Sequence, residues 1–160
     1  MFREMRRKRQ QLPNEECIEI LENSTSGTLA VSGDDGYPYA VPLSYVYHNG
    51  KIYFHCAKTG HKLDAIQRNP KASFCVIAAD EVIPERFTTH FKSVIAFGTA
   101  RIMETNEMRP AIELLADKYS PNVEGRDEEI DGAYSALCMI EFTIEHMTGK
   151  EAIELTKMRK

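Results

Sequence analysis

What this chain lacks narrows its identity before any motif is read. No apolar run approaches the ~20 residues that a membrane-crossing helix needs. The N-terminal stretch "MFREMRRKRQ" is basic but leads into no apolar segment, so no secretory signal is expected. The four cysteines (Cys17, Cys56, Cys75 and Cys138) lie far apart, and no C-x-x-C pair occurs. That spacing removes the usual zinc and dithiol motifs and points to reduced thiols in a cytoplasm. The formal net charge of −4 argues against a general nucleic-acid binder. No internal repeat and no low-complexity linker is present. Strands and helices do not alternate regularly, which excludes a doubly wound parallel sheet.

What remains is an ordinary globular composition. The chain has 160 residues, 42% hydrophobic and 28% charged, which suits a single domain over 1–160. A helical lead-in is expected over 1–25 and a helical tail over 148–160. Charge is uneven. "RRKR" (Arg6 to Arg9) reads as a solvated lead-in or a subunit contact, and "EGRDEEID" (Glu124 to Asp131) reads as an acidic, mobile loop.

The β signals come in order. "GTLAVSG" (Gly27 to Gly33) is a short strand and "DDG" a turn. "YPYAVPLSYVYH" (Tyr37 to His48) is rich in aromatic and β-branched residues, and Asn49-Gly50 then marks a hairpin into "KIYFHC". Pro42 cannot donate to a ladder, so its strand is an edge or is broken there. Asn69-Pro70 stops a helix. "KASFCVIA", "HFKSVIAFGTARIM" and "AYSALCMIEFTIEHM" are three further strands, with Gly98 marking a bend or bulge. Asn14 is positioned to cap a first helix. Met108, Ile112, Leu115 and Tyr119 form the apolar stripe of another. "TGKE" (Thr148 to Glu151) fits a capping box that starts a last one. The sum is a mainly β, α+β fold: a six-stranded antiparallel barrel with short flanking helices.

One stretch carries an electrostatic oddity. In "HCAKTGHKLDAI" (His55 to Ile66) a helix is expected with Thr59 as N-cap, followed by Gly60, His61 and Lys62. The first N–H groups of a helix are unpaired and carry partial positive charge, so a lysine there worsens the local field. A bound phosphate reverses the problem, because backbone donors, the Thr59 hydroxyl and two basic side chains all converge on it. Plain surface lysines, each costing a few tenths of a kcal/mol, are the equal alternative. His55, Cys56 and His61 match no zinc pattern, and no metal is expected. His55 and Cys56 are neighbours on a strand and face opposite sides, which also rules out a Cys-His nucleophile pair. Backbone groups freed beside Pro42, near Leu43 and Ser44, are able to read a planar polar ring, or are simply an irregular edge.

The ordered set "YPYAVPL", "IYFH", "GHKLDAI", "NPKASF" and "KSVIAFGTA" resembles the pyridoxamine-phosphate-oxidase-like flavoproteins, and within them the nitroimidazole-resistance branch. The likeness runs along nearly the whole chain. It implies a split β-barrel and a homodimer with two FMN sites at the subunit interface. By that resemblance Gly60, His61 and Lys62, with Thr59, hold the flavin phosphate, although His61 replaces a common arginine. Pro42, Leu43, Ser44 and Tyr45 run beside the ring. His55, Cys56 and Ala57 follow the ribityl chain and ring. Lys92, Ser93 and Val94 add contacts from the other subunit. The arginine-rich substrate-phosphate segments of the oxidases are not found, so pyridoxamine phosphate is not the expected substrate. The implied activity is a flavin oxidoreductase that passes electrons from a small-molecule donor to a small electron-poor acceptor, with His55 as proton donor. A flavin carrier or redox sensor is the alternative, and a haem-binding relative a third. Neither nucleic acid nor membrane is an expected partner.

Overall fold

The computed structural model describes residues 1–159. Eight strands form one antiparallel sheet: β1 (Gln11–Leu12), β2 (Ser26–Ser32), β3 (Pro38–Ser44), β4 (Val46–His48), β5 (Lys51–Ala57), β6 (Lys71–Ile83), β7 (Thr88–Ile102) and β8 (Leu137–Glu151). Five helices accompany them: α1 (Asn14–Asn23), α2 (His61–Arg68), α3 (Met108–Tyr119), α4 (Arg126–Ala133) and α5 (Ile153–Met158). The strand order is β3-β2-β6-β7-β8-β5-β4, with β1 added to β8. The class expected from the sequence is correct, with two more strands than the six anticipated.

The two edge strands of that order, β3 and β4, are consecutive in the chain and joined by Tyr45 alone. The sheet therefore curls until its edges meet, and Tyr45 is the seam. The break falls there and not at Pro42, which sits in register opposite Thr28 on the edge strand. An edge tolerates the missing N–H. Tyr45 itself has no ladder partner, so its backbone needs other ones. The Tyr119 hydroxyl supplies them: it accepts the Tyr45 N–H (2.9 Å) and shares its one proton between the Tyr45 carbonyl (2.7 Å) and the Thr25 carbonyl (2.5 Å). The Tyr45 side chain is fully buried, its own hydroxyl donating to the Leu21 carbonyl at 2.7 Å. Inside the barrel, Phe74 meets Tyr45 and Phe54 edge-on at 4.9 and 5.2 Å. Each such buried ring contributes roughly 1.5–3 kcal/mol.

Gly98 marks an irregularity, as expected: the β7–β8 register shifts between Phe97 and Gly98. A Cβ at Gly98 would lie 1.9 Å from the Thr143 carbonyl oxygen, so only glycine lets the strands approach so closely.

Three local expectations fail. Residues 124–131 are not a loop, since α4 occupies most of them. Asp127, Glu128 and Glu129 lie in its first turn, where carboxylates favour a helix, and Arg126 and Arg109 pair with Asp117 and Asp131. Thr148 to Glu151 form no capping box. They stay in β8, paired with Lys92 to Ile95 of β7, and the tail helix begins at Ile153. Pairing along β7 outweighs the local helix signal. At the first helix Pro13 takes the cap position and Asn14 is already helical.

Candidate functional site

Beyond Tyr45 the strands β3 and β5 are not hydrogen-bonded to each other. Two contacts show how the segments run. At one end Ser44 and His55 line the same cavity. At the other, Tyr39 of β3 stacks on His61 at the start of α2, with ring centroids 4.0 Å apart. The unpaired margin between the strands, the candidate groove, therefore runs from Ser44 and His55 to the N-terminus of α2, with β3 on one side and residues 55–62 on the other.

Alternation along the strands decides which side chains face out. Pro42 and Ser44 are exposed on β3, and His55 and Ala57 on β5. Leu43 and Cys56 point the other way, into the core. Tyr45 does too, and its backbone is already engaged by Tyr119. Of the seven residues expected along the ring and ribityl chain, four thus present side chains to the groove. Burial pushes the Cys56 thiol up to about 11, with Cys138 facing it across the sheet, so it stays protonated.

The α2 terminus departs from expectation in detail and keeps the feature that matters. Gly60, not Thr59, is the N-cap, at φ +152°, a conformation that side chains disfavour. Thr59 therefore lies outside the helix, and no side chain caps the first turn. The N–H groups of the first turn are left without an intrahelical or capping partner. The space in front is open, since a Cβ at Gly60 would meet nothing within 4 Å. Lys62 adds a cation to that turn. His61 is turned away from it: its ring lies on Tyr39, and its Nε2 is 3.7 Å from Asp34, which also accepts a 2.7 Å bond from Arg68. The helix is pinned to the β2–β3 turn through His61 and Arg68, while Lys62 and the backbone donors remain available. An uncapped, cation-bearing helix start fits an anion such as a flavin phosphate.

Lys92, Ser93 and Val94 do not join this groove in one chain. Val94 is core, and Lys92 lies near Glu16 of α1 at 4.0 Å. Ala100, whose N–H bonds the Pro70 carbonyl just after α2, is about 26 Å farther along β7 at the usual strand rise. Ser93 faces outward on the same side of the sheet as Ile77, Ile95 and Phe97, all of them exposed. Among the described residues no group of three His, Cys, Asp or Glu side chains converges as a metal site, and no helix is long and apolar enough to cross a membrane.

Sequence reasoning missed Tyr119 as the partner of the seam, because an apolar stripe on a helix does not announce a hydroxyl's task. It also missed the cavity beside His55, which is walled by α3 and α4. The acidic run gave no sign that α4 would fold over that strand.

A barrel sheet with an anion-ready helix start beside an outward-facing groove defines a class, and the chain falls within a known one. Residues 13–151 match the model of the family described as pyridoxamine 5'-phosphate oxidase, and the chain belongs to that family. No curated protein matches it. Among solved structures it is similar to a proposed 5-nitroimidazole antibiotic resistance protein from Bacteroides thetaiotaomicron, at 18% identity and TM-score 0.76, over 88% of this chain and 86% of that one. It is similar to an FAD-binding protein from Mesorhizobium loti at 25% identity and TM-score 0.65, over 89% and 97% of the two chains. A third similar structure is an FAD and heme binding protein from Mycobacterium smegmatis, at 21% identity and TM-score 0.76, over 89% and 73%.

Proposed function

We propose that the protein binds FMN and works as an oxidoreductase, passing electrons from a reduced small-molecule donor to a small electron-poor acceptor. The observation that carries this reading is the first turn of α2, where Lys62 stands beside unpaired backbone N–H groups and is in no ion pair among the described residues. The flavin phosphate sits on that turn, held by backbone N–H groups and the Lys62 ammonium. The ring lies toward Pro42, Ser44, His55 and Ala57, where outward-facing side chains leave room for a planar group. Family membership and the flavin-binding neighbours in fold support a flavin; FMN is the particular choice of this proposal.

Flavin supplies the two-electron chemistry when bound, and the protein supplies binding, orientation and a proton. His55 is exposed at the ring end of the groove, where its imidazole N–H can serve as the proton donor. The exposed strip of Ile77, Ile95 and Phe97 suits a second copy of the chain, whose Lys92 and Ser93 then approach the groove from the partner side. The free thiols at all four cysteines suit a reducing, cytoplasmic setting.

The test is the absorbance spectrum of the purified protein, followed by rapid mixing of the FMN-loaded form with NADH and with NADPH. A yellow protein whose flavin band bleaches with one donor and recovers with a nitroaromatic acceptor supports the oxidoreductase reading. Flavin that binds but never bleaches reduces the protein to a carrier or sensor. A red-brown protein points to haem, and a colourless one that takes up no FMN ends the proposal.

A further inference from the structure

We infer that the cavity beneath α3 and α4 is a binding site for a small, planar, uncharged molecule, adjoining the flavin ring at Ser44 and His55; on the flavin reading above, this is where the electron acceptor rests. The cavity measures about 500 Å³, within the usual range for small-molecule sites. Its origin lies in two unequal helices. α3 packs Met108, Ala111, Ile112 and Leu115 against Val46, Met103 and Met139. α4 brings one buried residue, Ile130, and has no apolar stripe with which to press down. The gap between them is walled by Ile112, Leu115, Ile130 and Leu137, and its polar side carries Ser44 and His55. The Tyr119 hydroxyl on its rim is committed to the barrel seam.

Charge selects the occupant. No lysine or arginine lines the cavity, and Glu129 does. Asp127 and Glu128 stand on the same helix, whose Arg126 and Asp131 are paired with residues of α3. An anion gains nothing there, so the cavity does not favour a phosphate lodged within it. A neutral planar ring gains apolar contact on its faces, and its carbonyl or nitro oxygens can accept hydrogen bonds from Ser44 and His55. α4 is clasped over this space by two ion pairs with exposed carboxylates, Arg109 with Asp131 and Arg126 with Asp117.

The probe is menadione, neutral and planar, with 1,4-naphthoquinone-2-sulfonate as its anionic counterpart. Binding is measured by calorimetry on protein with and without FMN. Two variants fill the cavity from opposite walls without touching Ser44 or His55: Ala133→Trp from α4 and Ala116→Phe from α3, each checked for folding by its melting curve. Menadione should bind the native chain about tenfold more tightly than the sulfonate and lose about tenfold in either filled variant, with FMN affinity unchanged within about twofold. Equal binding of the sulfonate, or menadione binding indifferent to both fillings, overturns the site. So does a parallel loss of FMN, which would place the flavin ring itself in the cavity. A chain that takes up no FMN yet binds menadione in a filling-dependent way keeps the cavity site and removes the flavin reading.

Discussion

Two charged regions of this molecule are treated in opposite ways. The carboxylates of Glu141 and Glu151 are 7% and 2% exposed, and each is neutralised from within the chain. Glu141 receives Arg101 at 3.0 Å and Lys51 at 3.2 Å. Glu151 receives Arg159 at 2.8 Å and the Thr156 hydroxyl at 3.0 Å. The start of α2 adds Lys62 to the helix dipole, with Asp64 in the same turn. No α-helix among the described residues has a side-chain cap, but Arg109 and Arg126 in the first turns of α3 and α4 are paired with carboxylates. Lys62, in contrast, is in no ion pair among the described residues and is left for something outside the chain. The balanced regions hold the barrel, and the unbalanced one is the place for a ligand.

The balanced side gives the largest expected effect. Arg101→Met leaves the Glu141 carboxylate buried with Lys51 alone and should destabilise the chain by about 3 kcal/mol, read by denaturant unfolding. A loss within the noise would mean that Lys51 suffices. Next comes the seam: Tyr119→Phe strips the Tyr45 backbone of its partners and should lose about 2 kcal/mol in the same assay. A variant as stable as the native chain would show that water replaces the hydroxyl.

Acid should dissolve the balance. Burial pushes the Glu141 carboxyl up, but the bonds from Arg101 and Lys51 outweigh it and the net shift is downward. Glu107 is lowered to about 2 by Arg101 and the Glu104 backbone. Carboxyls with depressed values stabilise the fold above their ordinary value of 4.5, and that contribution fades as pH falls from there toward 2. Stability measured against pH should drop across that window, and Arg101→Met should flatten the drop. An identical acid limb in native and variant would contradict the assignment.

The smallest effect belongs to a residue that the family resemblance placed on the phosphate. His61→Phe keeps the stack on Tyr39 and loses only the distant Asp34 contact, so stability should change by about 0.5 kcal/mol and FMN affinity by less than about threefold. A loss as large as that from removing Lys62 would mean that the imidazole turns toward the phosphate.

The sequence carried much of this. Turn chemistry at Asn49-Gly50, the edge-strand proline, the bulge glycine and the odd basic helix start are local, and local signals survive into the fold. What it could not carry depends on distant partners. Tyr45 breaks the long strand because the sheet closes there, and the hydroxyl that compensates comes from Tyr119, 74 positions away. The capping pattern at Thr148 to Glu151 lost to pairing with β7. The helix at 126–133 depends on Asp117 and Arg109 from α3. At the candidate site, alternation separated His55 from Cys56 in advance, whereas the turn of His61 toward Asp34 required the β2–β3 hairpin to be in place.

The central claim is that α2 leaves its positive end open for a phosphate. FMN and riboflavin differ by that phosphate alone, so their affinities for the native chain and for Lys62→Ala test it directly. The account predicts that the variant loses about thirtyfold for FMN, near 2 kcal/mol, while riboflavin changes by less than about twofold. Equal weakening of both ligands would contradict it.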